Sequence, residues 1–148
     1  MKIDLGCANF KKEGFIGIDC RDYNCVDGTK FVPDIMCDLN CGIPLMNDYV
    51  EEIYCSHLLE HIKNPYKLLE EMFIVCKNQA IIEIIVPLFD VNHDEHKTCF
   101  YDRWFENCLN LNNFEIIKKS INREKPVIDP INGDRILQEL KIILKVKK

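Results

Sequence analysis

The chain opens with Met1-Lys2-Ile3-Asp4-Leu5-Gly6-Cys7-Ala8-Asn9, a short apolar run that leads directly into a turn of small residues. Ile3 and Leu5 alternate with polar residues, as in a buried strand, and Gly6 permits the tight bend that follows. In open α/β sheets, ligands bind beyond the carboxyl ends of the strands. This stretch therefore predicts a first strand that brings the carboxylate of Asp4 and an accessible backbone to a ligand.

The composition indicates one globular domain. The 148 residues are 47% hydrophobic and 29% charged, which is enough apolar material for a sizeable core. The net charge of −5 argues against non-specific binding of nucleic acid, which requires a positively charged surface. Nine cysteines occur without a secretory signal or a long apolar segment. We therefore expect a reduced, cytoplasmic protein (in the host cytosol if it is viral) with no membrane association.

Acidic residues recur at the ends of the predicted strands. Further strands are predicted over residues 15–19, 34–38 and 50–55. Asp4, Asp19 and Asp38 each stand at the end of one strand, and Ser56-His57 follows the next. Parallel strands present their carboxyl ends at one edge of a sheet, so we expect these polar groups to lie close together.

The second half of the chain predicts a long helix, a central strand and a final strand pair. Asn64 is a suitable helix cap and Pro65 a suitable first helical residue. Residues 79–86 are nearly all apolar, as in a central parallel strand, and Pro87 is expected to end it. A helix is expected over residues 102–111, and two strands at 114–121 and 140–146 flank a loop. The pattern predicts an α/β domain with a mostly parallel seven-stranded sheet, an antiparallel last pair and helices on both faces.

Four motifs together resemble the class I S-adenosylmethionine-dependent methyltransferases, and most closely their small, methyltransferase type 11-like group. The matching stretches are Leu5-Gly6-Cys7-Ala8, Gly14-Phe15-Ile16-Gly17-Ile18-Asp19, Cys37-Asp38-Leu39 and Ser56-His57-Leu58-Leu59-Glu60-His61. The stretch from Asp94 to Phe100 stands where that group has a further motif. The resemblance implies a Rossmann-like methyltransferase domain over residues 1–148 that transfers a methyl group from S-adenosyl-L-methionine. By analogy with the group, the unidentified acceptor is expected to be a small-molecule or sugar-type hydroxyl.

The resemblance also implies which residues bind the cofactor. They are Asp4, Gly6, Cys7, Ala8, Asp19, Asp38, Leu39, Ser56 and His57. Asp4 would meet the ammonium group of the cofactor's amino-acid tail, and residues 6–8 would offer their backbone to that tail. Asp19 would accept hydrogen bonds from the ribose hydroxyls. Asp38 and Leu39 would contact the adenine.

Histidines are the candidate catalytic residues, because a hydroxyl acceptor needs a base near neutral pH. The resemblance favours His96, followed by His57, which would line the methyl-donor end of the pocket with Ser56. His93 is a further candidate. Ala8 replaces the second glycine of the first motif, and its Cβ is expected to weaken cofactor binding.

Two other classes of site have less support in the sequence. His93-x-x-His96-x-x-Cys99 and the pair His57 and His61 offer metal ligands, but neither a Cys-x-x-Cys knuckle nor a His-Glu-x-x-His motif is present, so no metal is expected. A NAD-dependent oxidoreductase would carry Gly-x-Gly-x-x-Gly after the first strand, and this chain does not.

A non-catalytic or partner-dependent methyltransferase-like domain remains the alternative function. The first residues are predicted to be the first strand, so we expect no helix of the kind that often covers the acceptor pocket in the group. We therefore expect an open acceptor site, or one covered by a partner protein or by the second copy of a homodimer.

Overall fold

The computed structural model describes residues 1–25, 27–88, 96–110, 112–129 and 133–148, with the backbone alone for 123–129 and 133–137. Its strands are β1 (Lys2–Leu5), β2 (Ile16–Asp19), β3 (Tyr23–Asn24), β4 (Lys30–Phe31), β5 (Ile35–Met36), β6 (Val50–Ser56), β7 (Cys76–Leu88), β8 (Phe114–Asp129) and β9 (Gly133–Val146). Its helices are α1 (Pro65–Val75) and α2 (Trp104–Cys108), with a 3-10 turn at Leu59–His61. Neither helix has the length and apolar character needed to cross a membrane, and this holds for all the residues described.

Seven of the strands form one sheet in the order β5-β2-β1-β6-β7-β9-β8. β1 lies parallel to β2 and β6, and β6 lies parallel to β7. β9 is antiparallel to both β7 and β8. This confirms the predicted mostly parallel sheet with an antiparallel last pair. The chain runs outward from β1 in both directions, so a ligand crevice is expected where β1 and β6 end.

One face of the sheet carries the core. Ile3, Ile53, Ile82 and Leu144 lie side by side across β1, β6, β7 and β9, and all four are fully buried. The helix α1 packs on this face, where the ring of Phe73 lies 5.7 Å from that of Phe114. Asn64 caps α1 as predicted, since its Oδ1 accepts a hydrogen bond from the backbone N–H of Lys67.

The opposite face of the sheet is only partly covered. A row of four neighbouring residues crosses this face: Asp4, Tyr54, Glu83 and Ile143. The last three are half-buried. The loop after β1 crosses this face, and the ammonium of Lys12 lies 4.2 Å from the centre of the Tyr54 ring. Within the described ranges, the connections after β1 and β2 are a loop and a hairpin. The expected helices on both faces are therefore not found there.

Several predicted element boundaries are wrong. α2 is shorter than the helix predicted over 102–111, and β9 begins at Gly133 and not at residue 140. Pro87 lies within β7, because pairing of β7 with β6 already stops at Ile85 and only β9 lies beside Pro87. The loop predicted from Asn122 onward is instead part of β8, which pairs with β9 as far as Asp129 opposite Gly133. Cross-strand pairing outweighs the local turn preference of this stretch.

Candidate functional site

Two cavities open beside the turn that follows β1. The larger, of about 500 Å³, is lined by Gly6, Ala8, Asp19, Cys20, Arg21, Tyr23, His57, Leu58, His61 and Lys97. The smaller, of about 270 Å³, is lined by Asp4, Gly6, Cys7, Ala8, Phe10, Tyr54, Ser56 and His57. Three residues, Gly6, Ala8 and His57, border both cavities. The turn after β1 therefore forms a wall shared by the two.

The turn adopts a backbone conformation that its glycine permits. Gly6 has φ +68°, and its N–H donates to the carbonyl of Ile18 at 2.9 Å. A Cβ on Gly6 would stand 2.8 Å from a methyl carbon of Leu58. Ala8 has φ +43°, a left-handed conformation that costs an L-residue about 1–2 kcal/mol. The alanine in place of the motif glycine is thus strained as well as close to both cavities.

Asp19 forms part of the wall of the larger cavity and is 5% exposed. Its Oδ2 accepts the N–H of Ala8 at 2.9 Å, and its Oδ1 accepts the N–H of Cys20 at 2.6 Å and the hydroxyl of Tyr23 at 3.0 Å. A carboxylate offers about four acceptor sites, so one remains for a ligand hydroxyl. The three donors fix its orientation.

Asp4 lies in the smaller cavity and is 2% exposed. Its Oδ2 accepts the backbone N–H of Lys12 at 2.7 Å. Burial raises the pKa of Asp4, while the Lys12 N–H and ammonium oppose that effect. The buried carboxylate of Asp4 would be stabilised in its charged form by a cationic group of a ligand. Phe10, which is 83% exposed, borders the same cavity.

Cys7 and Ser56, two of the residues expected to bind the cofactor, also line the smaller cavity. Burial, with the neighbouring carboxylates of Asp19 and Asp4, raises the pKa of the Cys7 thiol to about 12. The thiol is therefore neutral at physiological pH. It lines the cavity but does not act as a nucleophile, because the thiolate is the reactive form.

Asp38 and Leu39 do not line either cavity, unlike the other predicted cofactor-binding residues. The carboxylate of Asp38 accepts the N–H and the side-chain amide of Asn40, both at 2.9 Å, and these hydrogen bonds lower its pKa. Leu39 is 5% exposed and belongs to the core. Asp38 in this structure closes a local turn.

His57 links two carboxylates from distant parts of the chain. Its Nδ1 lies 3.3 Å from Glu60 and its Nε2 lies 3.1 Å from Glu139. The hydrogen bond to Glu60 raises the pKa of His57, burial opposes it, and Glu139 adds to the rise. Each ring nitrogen of His57 contacts a carboxylate. His57 is therefore less suited than the sequence suggested to act as the base that removes a proton from the methyl acceptor.

His96 lies beside His61, with ring centres 4.8 Å apart. The next two residues are anchored, because the N–H groups of Lys97 and Thr98 donate to the carbonyl of Glu60 at 2.7 and 3.3 Å. His61 lines the larger cavity, whereas His96 is not among the residues that line it. The third candidate, His93, lies outside the described residues.

Sequence patterns alone did not reveal Glu139 as a site residue. It lies in β9, far along the chain, and reaches His57 only because the register of β9 places it opposite Pro87. No local motif marks that position.

Comparisons with solved structures find the same architecture. A candidate methyltransferase of Bacillus halodurans has 10% identity and a TM-score of 0.72, with 99% of this chain and 92% of that one covered. An S-adenosylmethionine-dependent methyltransferase of Archaeoglobus fulgidus has 17% identity and a TM-score of 0.66, with 97% and 85% covered. A third was solved as a complex of the Haloferax volcanii Trm112 methyltransferase activator with a candidate methyltransferase, at 13% identity and a TM-score of 0.69, with 99% and 82% covered.

This chain has the class I S-adenosylmethionine-dependent methyltransferase fold. Neither protein-family models nor curated proteins match the sequence. At identities of 10–17% the likeness is one of fold. The methyltransferase fold nevertheless explains why Asp4, Gly6 and Asp19 lie together, because β1 and β2 end side by side at the edge where such sheets bind ligands.

Proposed function

We propose that this protein binds S-adenosyl-L-methionine across the two cavities and transfers its methyl group to an acceptor. The observation that carries the proposal is the pairing of two buried carboxylates on either side of one glycine turn. Asp19 borders one cavity and Asp4 the other, with Gly6 between them. A ligand with a ribose at one end and an ammonium at the other matches this arrangement.

Each group of the cofactor has a proposed partner. One ribose hydroxyl donates to the remaining acceptor site of Asp19, and the amino-acid tail runs past Gly6, Cys7 and Ala8 so that its ammonium meets Asp4. The adenine lies in the larger cavity, where it contacts the apolar side chain of Leu58. Asp38 and Leu39 would join it only if their segment moved toward the cavity.

The transfer itself needs mainly alignment of donor and acceptor and exclusion of water. Ser56 and His57 border the smaller cavity next to the shared wall, so we place the methyl-donor end there. For the acceptor we propose a small-molecule or sugar-type hydroxyl. Such an acceptor must lose its proton. We propose His96 as the first candidate base, because both nitrogens of His57 contact carboxylates. His96 borders neither cavity, so it acts in this proposal on an acceptor that extends past His61.

Titration with S-adenosylhomocysteine in a calorimeter tests the cofactor proposal. We expect saturable binding to the wild type and a loss of about tenfold or more in Asp19→Asn, because a hydrogen bond to a charged group contributes roughly 1.5–3 kcal/mol. Asp48→Asn is the matched control, since Asp48 is an exposed acid on the surface. Unchanged affinity in a folded Asp19→Asn variant, or equal losses in both variants, would contradict the proposal.

A partner-dependent or non-catalytic domain is the second candidate function. Phe10 is almost fully exposed at the smaller cavity, and Ala8 is strained where the fold favours glycine. One structural neighbour was solved with an activator protein. Binding of S-adenosylhomocysteine that appears only when a partner covers Phe10 would favour this candidate.

A further inference from the structure

Glu60, His61 and His96 form a compact cluster that the cofactor proposal does not use. One ligand atom from each residue lies within 4.8 Å of the ligand atoms of the other two. Glu60 and His61 belong to the 3-10 turn after β6, and His96 arrives from the segment after β7. Two hydrogen bonds to the carbonyl of Glu60, from Lys97 and Thr98, hold the two segments together.

The buried carboxylate of Glu60 is the feature that points to a ligand. Glu60 is 1% exposed, and its Oε2 has no hydrogen-bond donor within reach among the described residues. Among the same described residues, its Oε1 has only the Nδ1 of His57, at 3.3 Å. A buried carboxylate that lacks a full set of partners costs several kcal/mol, so such groups are usually paired or bind a metal.

The donor set selects the class of ion. Two imidazoles and one carboxylate suit Zn²⁺ and similar first-row ions, whereas Mg²⁺ and Ca²⁺ prefer oxygen ligands throughout. Three protein ligands leave a coordination position open, as in catalytic zinc sites. We propose that Glu60, His61 and His96 bind one Zn²⁺-like divalent ion, contrary to the absence of a metal that the sequence favoured.

The place of this cluster gives the ion a role that rests on the proposed methyl transfer. His61 also borders the larger cavity, so the ion would lie at its wall. A bound divalent ion polarises an oxygen ligand and lowers the pKa of a hydroxyl. His57 borders both cavities, so an acceptor hydroxyl that approached the methyl-donor end from the larger cavity would pass this ion. The ion, and not His96 as a base, would then lower the pKa of that hydroxyl.

Metal binding by chelator-treated, metal-free protein tests the site without any cofactor. Titration with Zn²⁺ should show one tight equivalent, and His96→Ala should weaken it by more than the roughly 10- to 100-fold loss typical of a residue that only supports a ligand. His61→Ala should do the same. Cys99→Ser and Cys41→Ser are the controls, because exposed thiols also bind zinc. They should leave the affinity unchanged.

X-ray absorption at the zinc edge identifies the ligands directly. We expect only nitrogen and oxygen neighbours near 2.0–2.1 Å, and no sulfur at about 2.3 Å. Failure of folded, metal-free protein to bind zinc would overturn the site, and Glu60 would then be satisfied by His57 alone. A sulfur shell, or full binding by His96→Ala, would overturn it too. None of these results bears on S-adenosylhomocysteine binding, so the two proposals fail separately.

Discussion

Among single residues, Ala8 shows how a substitution in a motif acts through the backbone. The sequence identified the missing glycine, but only the structure shows a φ of +43° and a hydrogen bond from Ala8 to Asp19 at 2.9 Å. The residue is therefore held in a costly conformation by the carboxylate proposed to bind the ribose. Ala8 borders both of the cavities that the proposed cofactor would span.

Ala8→Gly should tighten binding of S-adenosylhomocysteine by several-fold, because it removes a Cβ from both cavities. Its effect on folding should stay within about 1 kcal/mol, since relief of the left-handed strain offsets the extra freedom of glycine in the unfolded chain. Calorimetric titration and urea unfolding measure the two quantities. Weaker binding by the glycine variant would show that the alanine methyl supports the site.

At the level of secondary-structure elements, the turn after β1 depends on close packing against the segment after β6. Gly6 combines a positive φ with tight surroundings, because a Cβ added there would come within 2.8 Å of Leu58. Gly14, at the other end of the same loop, has φ +78° and open space around it. Substitution of Gly14 by alanine would introduce backbone strain alone, whereas substitution of Gly6 would add a steric clash. A comparison of the two variants therefore measures each effect.

Gly6→Ala should destabilise the protein by about 2–5 kcal/mol, the sum of left-handed strain and overpacking. Gly14→Ala should cost only the strain, about 1–2 kcal/mol. Urea unfolding of both variants gives the difference. Equal losses would mean that Leu58 moves aside at little cost and does not constrain the turn.

Across the molecule as a whole, ion pairs tie the two halves of the sheet together on its partly covered face. Glu83 of β7 contacts Lys141 of β9 at 2.5 Å and Lys12 of the first loop at 3.3 Å. Burial opposes ionisation of Glu83, but the two ammonium groups outweigh it and lower its pKa. Its carboxylate therefore stabilises the fold above its ordinary pKa of about 4.3, and this stability is lost as the pH falls through the lowered value.

Glu83→Gln should lower the free energy of unfolding by about 1 kcal/mol at pH 7, a modest value because both lysines are partly solvated. The difference from the wild type should shrink as the pH falls below about 4. Glu13→Gln, at an exposed acid of the first loop, is the control and should change little. If the difference in the free energy of unfolding between the wild type and Glu83→Gln persists at the lowest pH where both stay folded, the effect of the substitution comes from packing and not from charge.

Local sequence patterns were enough to define the strands that carry the site. Alternation of apolar residues predicted β1, β2 and β6, and their ends placed Asp4, Asp19 and Ser56 at one edge, because parallel strands share that edge. The cap of α1 was equally local, since Asn64 and Pro65 act on the adjacent turn. Such features depend on neighbours in sequence.

Features that depend on long-range contacts became visible only in the folded molecule. The register of β9 brought Glu139 to His57, and the extension of β8 to Asp129 followed from pairing with β9. Asp38 ends a predicted strand but lies away from both cavities, because its carboxylate closes a turn with Asn40. The cluster of Glu60, His61 and His96 joins segments on either side of β7. No local pattern encodes these distances, since they are set by how the whole sheet packs.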